Sequence, residues 1–220
     1  MVLRAGALTG LLNQPSAQVI DGSLKFDDTQ KNHLLRTHTA GNTKTFTWAG
    51  WVKRDKYGGY QTLFGHVSGG SGQHYIDFGS DKIRFTRYVS SNEAALETTA
   101  KFRDTGWYHI VCVWDTTNST ANDRLRIYVN GEQITDFSTR VNPSQNYSGV
   151  INTAIEHGIC RIPTLDQNYN ACRMSQVYFM DGLALEPENF GFTDPLTNTW
   201  KPKKYTGDFN GPADLKSEDG

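Results

Sequence analysis

The stretch Leu125–Ile134 reads LRIYVNGEQI and places two strand-like runs on either side of Asn130-Gly131. This dipeptide favours a tight type I′ turn, because both residues tolerate a positive φ angle. Before the turn, aliphatic residues at 125, 127 and 129 alternate with arginines at 124 and 126. Such alternation is typical of a strand with one buried face and one face in water. The stretch therefore predicts a β-hairpin.

The run just upstream, Trp107–Asp115, reads WYHIVCVWD and is mostly apolar on both faces. Residues 108, 110, 112 and 114 point one way, whereas Val111 and Val113 point the other. A strand that is buried on both faces lies in the middle of its sheet. In Phe46–Lys53, residues 46, 48, 50 and 52 share one face, and Trp51 lies on the other.

The rest of the chain repeats this pattern of short strands separated by clusters of Gly, Asn, Asp and Ser. The predicted strands are Ser23–Asp27, Phe46–Lys53, Thr62–Val67, Tyr75–Phe78, Lys82–Val89, Ala95–Phe102, Trp107–Asp115, Arg124–Val129, Glu132–Phe137, Val150–Glu156 and Met174–Asp181. No amphipathic helical pattern lasts more than a turn or two. Short strands at fairly even spacing indicate an all-β fold, and their number favours a jelly-roll sandwich of two antiparallel sheets.

Length and charge narrow the possible functions. A chain of 220 residues is enough for one all-β domain with a real core. Its 22 basic and 23 acidic residues give a net charge of −1. This balance argues against a nucleic-acid or an anionic-membrane partner, since either would select a basic surface. No run approaches the roughly 20 apolar residues that span a bilayer.

We divide the chain into an N-terminal arm (1–22), a jelly-roll domain (23–190) and an extended C-terminal tail (191–220). The tail is rich in turn residues, and we expect Trp200 and Tyr205 to anchor it on the sandwich. The arm is predicted to contact a sister subunit or another protein of the assembly through aliphatic side chains. These are Val2, Leu3, Leu8, Leu11 and Leu12.

Longer blocks carry a family resemblance. GWYHIVCVWDTT followed by RLRIYVNGEQI resembles the central motif of laminin-G-like, concanavalin A-like domains. LRTHTAGNTKTFTWAGWVKR, FRDTGWYHI and VYFMDGLALEPENFG followed by WKPK resemble a subgroup found in structural proteins of tailed, especially aquatic, bacteriophages. The resemblance implies a non-catalytic protein of the virion surface, either a head decoration or a fibre subunit. It also implies a homo-oligomer with other virion proteins as partners, and contact with host glycans.

A carbohydrate-binding lectin for host attachment is the alternative function. Sugar binding needs exposed aromatic rings and polar partners for hydroxyl groups. Three loops offer both, although a loop of this kind is more often a turn with an anchoring tyrosine. The candidate residues are Tyr57, Tyr60, Tyr147, Asn168, Tyr169 and Asn170.

A polysaccharide-cleaving enzyme is a third and weaker hypothesis, and the chain is predicted to be no enzyme. The E-x-D-x-x-E strand that glucanases of this fold use is absent from the sequence. Gln73-His74-Tyr75 with Arg84, Arg87 and Tyr88 imitates a lyase groove, but a plain strand start after the glycine-rich turn is the favoured interpretation. His109 lies in a central strand, where a core histidine bonded to backbone is favoured over a catalytic base.

The sequence offers candidate ligands for one cofactor, calcium. The loop after Trp114 offers four side chains with hard oxygen atoms: Asp115, Asn118, Asn122 and Asp123. A long hairpin loop uses the same residue types to satisfy its own backbone, so both interpretations stay open.

The three cysteines leave a second question open. Cys112 lies within a strand-like run and is predicted to be a small buried hydrophobe. Cys160 and Cys172 flank a polar loop and can either form a disulfide across it or remain as two thiols.

Overall fold

The computed structural model describes residues 17–68, 72–163 and 167–207, and within these ranges the chain forms an all-β sandwich. The strands in chain order are β1 (Leu24–Phe26), β2 (Leu34–Thr37), β3 (Thr45–Arg54), β4 (Tyr60–Ser68), β5 (Gly72–Gly79), β6 (Lys82–Tyr88), β7 (Asn92–Thr98), β8 (Trp107–Asp115), β9 (Leu125–Val129), β10 (Glu132–Gln133), β11 (Phe137–Val141), β12 (Glu156–Ile159), β13 (Cys172–Asp181), β14 (Gly191–Asp194) and β15 (Thr199–Pro202). The described loops also contain two short 3-10 turns, Ala121–Asp123 and Pro187–Asn189.

The strands form two large antiparallel sheets and one hairpin. A six-stranded sheet has the order β1-β13-β3-β8-β9-β10, and a seven-stranded sheet has the order β11-β7-β6-β5-β4-β12-β2. Strands β14 and β15 pair with each other. The predicted jelly-roll sandwich is thereby confirmed. No helix in the described part of the chain is long and apolar enough to cross a membrane.

The main core lies between the two sheets and is built around aromatic residues. Phe46 of β3 stacks on Trp114 of β8 with ring centroids 6.0 Å apart, and Phe85 from the opposite sheet meets both rings. Residues 108, 110, 112 and 114 all belong to this core, as the alternation in β8 predicts. Strand β8 lies between β3 and β9, so its predicted place in mid-sheet is confirmed.

The C-terminal segment covers the outer face of the six-stranded sheet. There Val111 and Val113 pack in a second apolar cluster that includes Phe190 and Tyr205. The tail is a β-hairpin over 191–202, whereas the sequence predicted an extended segment. Its anchoring residues are as predicted, because Tyr205 is buried and Trp200 stacks on His109 with ring centroids 5.9 Å apart.

His109 is a buried core histidine, but its ring partner differs from the predicted one. Its Nδ1 accepts a hydrogen bond from Trp200 Nε1 at 3.0 Å, so the partner is a side chain of the tail and not the backbone. Burial lowers the pKa of His109 to about 3, which keeps the ring neutral and able to accept this bond.

The Asn130-Gly131 turn has the predicted geometry and an additional role. Its φ angles are 52° and 86°, in agreement with a type I′ turn. Asn130 Oδ1 accepts a hydrogen bond from the His109 backbone N–H at 2.9 Å. The Trp200 ring lies so close to Gly131 that any Cβ atom would overlap it. The turn therefore connects the two strands of the hairpin and also provides the surface on which Trp200 of the tail packs.

The predicted strand Val150–Glu156 is wrong, because β12 begins at Glu156 and ends at Ile159. Asn152 has a φ of 68°, which no regular strand accommodates. Strand β2, at one edge of the seven-stranded sheet, was not among the predicted strands. All four residues of β2 are exposed, so they show no alternation that a pattern search could detect.

Three buried histidines, His66, His74 and His157, and the partly buried His38 gather at one region of the sandwich. His66 and His74 lie directly opposite each other on β4 and β5. The His157 ring lies 5.8 Å from that of His66 and 4.5 Å from that of His38. Burial lowers the pKa of all four histidines. The pKa of His157 falls to about 4, because the positive charge of a protonated His38 lowers it further. The folded state therefore favours the neutral form of these imidazoles.

We predict that Gly131→Ala lowers the free energy of unfolding by about 2 kcal/mol, because alanine is strained at positive φ and its Cβ displaces Trp200. Gly58→Ala is the matched control, since Gly58 has a φ of 73° but open space around its missing Cβ. Urea denaturation followed by tryptophan fluorescence measures both variants. Equal losses in the two variants would contradict a steric role for Trp200.

We predict that the protein loses stability as the pH falls from 6.5 to 4.5. The unfolded chain binds protons at its histidines near pH 6.5, whereas the folded core does not, so protonation favours unfolding by up to about 1.4 kcal/mol per pH unit for each buried histidine. Asp77 acts in the opposite sense, because burial raises its pKa to about 6, but one carboxyl opposes several histidines. Urea titrations across this range test the slope, and a flat profile would refute the prediction.

Candidate functional site

The outer face of the seven-stranded sheet carries a row of polar residues that crosses five strands. In β5 the core residues Ile76 and Phe78 alternate with Tyr75 and Asp77, which therefore point outward. The strand register places one residue from each strand directly opposite the next. In the order of the strands, this row is Thr62, Asp77, Arg84, Glu97 and Thr139.

An ion pair between Asp77 and Arg84 forms the centre of the row. Arg84 Nε donates to Asp77 Oδ1 at 2.8 Å, and the second guanidinium nitrogen contacts Oδ2. The Asp77 carboxylate is buried beneath its neighbours, and its burial raises the pKa to about 6 although the arginine favours the charged form. A two-point pair of this kind holds Arg84 in one orientation.

Two tyrosines flank the Arg84 guanidinium. Its central carbon lies 4.6 Å from the Tyr60 ring centroid and 5.3 Å from that of Tyr75. Gly79 is the last residue of β5, and the Arg84 side chain occupies the space that a Cβ atom of Gly79 would need. Tyr60 is 55% exposed, so its ring remains available to a ligand.

The rim of the site adds groups that bind hydroxyls. Lys82 Nζ donates to Glu97 Oε1 at 2.8 Å and to Ser138 Oγ at 2.9 Å, and both charged side chains remain partly exposed. An exposed ring beside partly exposed ammonium, carboxylate and hydroxyl groups can stack on a sugar face and bond its hydroxyls. Both carboxylates of the row, Asp77 and Glu97, are held by cations.

Among the candidate sugar-contacting residues, Tyr60 belongs to this site, whereas Tyr57 precedes β4 and contacts a different arginine. Tyr57 is also exposed and lies over the Arg54 guanidinium, 5.0 Å from the ring centroid. The segment 167–170 runs along the start of β4, where Thr62 N donates to Asn168 O at 3.0 Å. Sequence-distant loops therefore meet at this end of the sandwich.

Asn170 is completely buried, and its side chain donates to Thr62 O at 3.2 Å. Its predicted contact with a sugar is thus replaced by a structural role, because the amide attaches the loop to β4. Tyr169 is partly buried and packs edge-on against His33 with centroids 5.7 Å apart.

Tyr147 lies at the opposite end of the sandwich. It packs on the core beside Trp114, near Thr45 of β3, whereas the Tyr57–Tyr60 loop follows Arg54 at the other end of that strand. Ten residues of strand separate the two ends by about 30 Å. The three tyrosine loops therefore do not form a single site.

The predicted calcium ligands interact with groups of their own loop, of β11 or of the segment that follows β11. Asp115 Oδ1 accepts from Thr117, Asn118 Oδ1 accepts from the Thr120 backbone, and Asn122 Oδ1 accepts from Asn142. Asp123 interacts electrostatically with the oppositely charged Arg140. This arrangement favours the interpretation that the loop satisfies its own backbone. Within the ranges described, no three His, Cys, Asp or Glu side chains group in a way that could hold a metal ion.

Cys160 and Cys172 are neighbours, but they form no disulfide in this structure. Their sulfur atoms lie 3.5 Å apart, both residues are completely buried, and burial raises the pKa of Cys160 well above that of a free thiol. Cys112 is a buried core residue. The arm residues Val2, Leu3, Leu8, Leu11 and Leu12 lie outside the described residues.

The lyase-like set does not share one surface. Tyr75 and Arg84 point outward, whereas His74 belongs to the core side and is completely buried. Asp77 and Glu97 were not among the predicted site residues. The signal that could have identified Asp77 is the two-residue turn Ser80-Asp81, whose φ angles are 51° and 72°. This turn sets the register of β5 and β6, and that register places Asp77 opposite Arg84.

Comparisons with known proteins agree with the observed fold. The laminin G family model described as concanavalin A-like lectin/glucanases superfamily matches residues 27–155. No curated protein sequence matches the chain.

Three solved structures are similar in fold. A native heptameric SAP-like pentraxin from Limulus polyphemus has a TM-score of 0.52 at 16% identity, covering 78% of this chain and 76% of that chain. Mouse laminin α1 domains LG4-5 have a TM-score of 0.54 at 10% identity, covering 77% and 44%. A NanB sialidase variant from Streptococcus pneumoniae has a TM-score of 0.50 at 15% identity, covering 79% and 29%.

At such low identities these structures support the fold alone. This chain spans less than half of the laminin chain and less than a third of the sialidase chain. The family match, in contrast, covers more than half of the chain. Together with the two-sheet sandwich, it shows that this chain belongs to the concanavalin A-like lectin/glucanases superfamily as a laminin G-like domain.

Proposed function

We propose that this protein is a non-enzymatic adhesion module that binds glycans on the outer face of its seven-stranded sheet. The observation that carries this proposal is the exposed Tyr60 ring beside the fixed Arg84–Asp77 pair. A sugar ring can stack on Tyr60 while its hydroxyls bond to the Lys82–Glu97 rim. The face is organised before any ligand arrives, so binding orders few side chains.

The fixed orientation of Arg84 supports specific rather than non-specific binding at this surface. Its guanidinium is held by two contacts to Asp77 and lies between two tyrosine rings. A fixed donor selects hydroxyl groups by their direction, because hydrogen bonds weaken steeply when they are bent. The family to which the chain belongs includes lectins, which agrees with this use of the sheet.

The pairing of the carboxylates supports a binding role over a cleaving one. Glycosidases need one free acid and one free carboxylate on either side of the bond that breaks. Here Arg84 lies between Asp77 and Glu97 in the row, and each carboxylate is already held by a cation. Neither residue is therefore arranged as a general acid.

The resemblance of the long sequence blocks to phage structural proteins supports a place on the virion surface. In that setting the domain would belong to a homo-oligomer that decorates the head or forms a fibre, with other virion proteins as partners and a host glycan as ligand. Immunogold labelling of intact particles separates the two locations. Absence of label from purified particles would overturn the virion assignment and leave the glycan-binding proposal standing.

We predict that Tyr60→Ala weakens glycan binding at least about fivefold, because the stacking surface is lost. Leu196→Ala is the control, since Leu196 is an exposed apolar residue on the β14–β15 turn, outside the polar row and its rim. A bacterial polysaccharide array identifies the ligand, and calorimetry with the isolated hit measures both variants. Equal weakening in both variants, or no hit on the array, would refute the proposed site.

We predict that the protein releases neither reducing ends nor unsaturated sugars from any polysaccharide that it binds. The measurement is a reducing-sugar assay together with absorbance of unsaturated products over a long incubation. Product formation that Glu97→Gln abolishes would show an enzyme and would contradict the non-catalytic proposal.

A further inference from the structure

A long apolar groove lies beside the segment Gln18–Phe26. It consists of two cavities of about 340 and 520 Å³, and Gly22 and Ser23 line both. The larger cavity lies where the edge strand β1 of one sheet approaches the edge strand β2 of the other. The groove therefore runs along the open side of the sandwich.

No charged side chain lines the groove in the part of the chain that the structure describes. Leu24 and Leu34, which are 58% and 48% exposed, line the larger cavity together with Phe26, Ile159, Met174 and Val177. Trp51 and Trp107 line the smaller one. Exposed aliphatic residues around a groove of this size indicate an apolar occupant.

Two glutamines point to a peptide as this occupant. Gln18 lines the smaller cavity and Gln176 lines the larger one, and each has a buried Oε1 without a hydrogen-bond partner in the described part of the chain. A buried acceptor without a partner is unfavourable, so an N–H donor is expected at each end of the groove. Among the described residues, strand β1 pairs with β13 alone, so its other edge can accept an added extended segment.

The sequence of this chain contains a suitable segment. Residues 1–16 read MVLRAGALTGLLNQPS, in which Arg4 is the one charged side chain. A stretch such as Val2–Leu12 spans about 35 Å when extended, against about 30 Å for Gln18–Phe26. Its aliphatic side chains match an uncharged groove, and its backbone offers N–H donors to the two glutamines.

We propose that the groove binds Val2–Leu12 from a second copy of this chain. The described chain runs from the smaller cavity at Gln18 to the larger one at Leu24, and Gln18 N is bonded to Pro202 O at 2.9 Å. Residues upstream of Gln18 thus begin at the end of the groove that is remote from the larger cavity. A segment from the same molecule would have to reverse its direction to fill that cavity, whereas one from a neighbour need not. This proposal does not depend on glycan binding.

The test uses two full-length variants that each disable one partner of the contact. The first carries Leu8→Asp and Leu11→Asp in the arm. The second carries Leu24→Asp and Leu34→Asp, at positions exposed enough for the fold to tolerate a charge. Leu196→Asp is the control, because Leu196 is 82% exposed on the β14–β15 turn. Light scattering after gel filtration reports the oligomeric state, and circular dichroism confirms folding.

We expect the unmodified protein and the control to self-associate and each double variant to be monomeric. Mixing the two double variants should restore pairs, because one supplies an intact groove and the other an intact arm. A synthetic peptide of residues 1–16 in excess should dissociate the unmodified protein, which gives a test that does not rely on the groove variant. A monomeric unmodified protein, association that both variants retain, or a mixture that stays monomeric would overturn the proposal.

Discussion

Strand β8 buries side chains on both of its faces, so the six-stranded sheet needs a covering layer on each side. The seven-stranded sheet supplies one layer through the aromatic core around Trp114. The C-terminal hairpin supplies the other, with Phe190 and Tyr205 over Val111 and Val113. The Trp200–His109 hydrogen bond and the glycine at 131 then determine where that hairpin lies. A change in any of these contacts exposes apolar surface on the outer face of the sheet.

This layering leaves the outer face of the seven-stranded sheet for recognition. Its polar row is possible because Asp77, Arg84 and Glu97 lie on neighbouring strands, where each charge meets an opposite one. Buried pairs of this kind add little net stability, but loss of one partner is costly because the other is left uncompensated. The row therefore keeps its side chains in one arrangement, and Tyr60 remains as the exposed element that a ligand can meet first.

Much of the fold was predictable from local pattern. Alternation identified β8 and the core residues of β3, and Asn130-Gly131 identified the hairpin, because periodicity and turn chemistry act over a few neighbouring residues. The edge strand β2 was not predictable, since its exposed residues carry no period. Of the candidate site, Tyr60 was proposed from its loop, whereas Asp77 and Glu97 were missed. Their meeting depends on strand register, which the unremarkable Ser80-Asp81 turn sets.

The sequence by itself determined the all-β class, the two-faced central strand and the anchoring of the tail by Trp200 and Tyr205. These follow from side-chain period and from the need to bury large aromatic rings. Only the tertiary structure decided which loops share an end of the sandwich, why Asn170 is buried against β4, and where the ion-paired row lies. Such features depend on the pairing of strands that are distant in sequence, and no local pattern encodes that pairing.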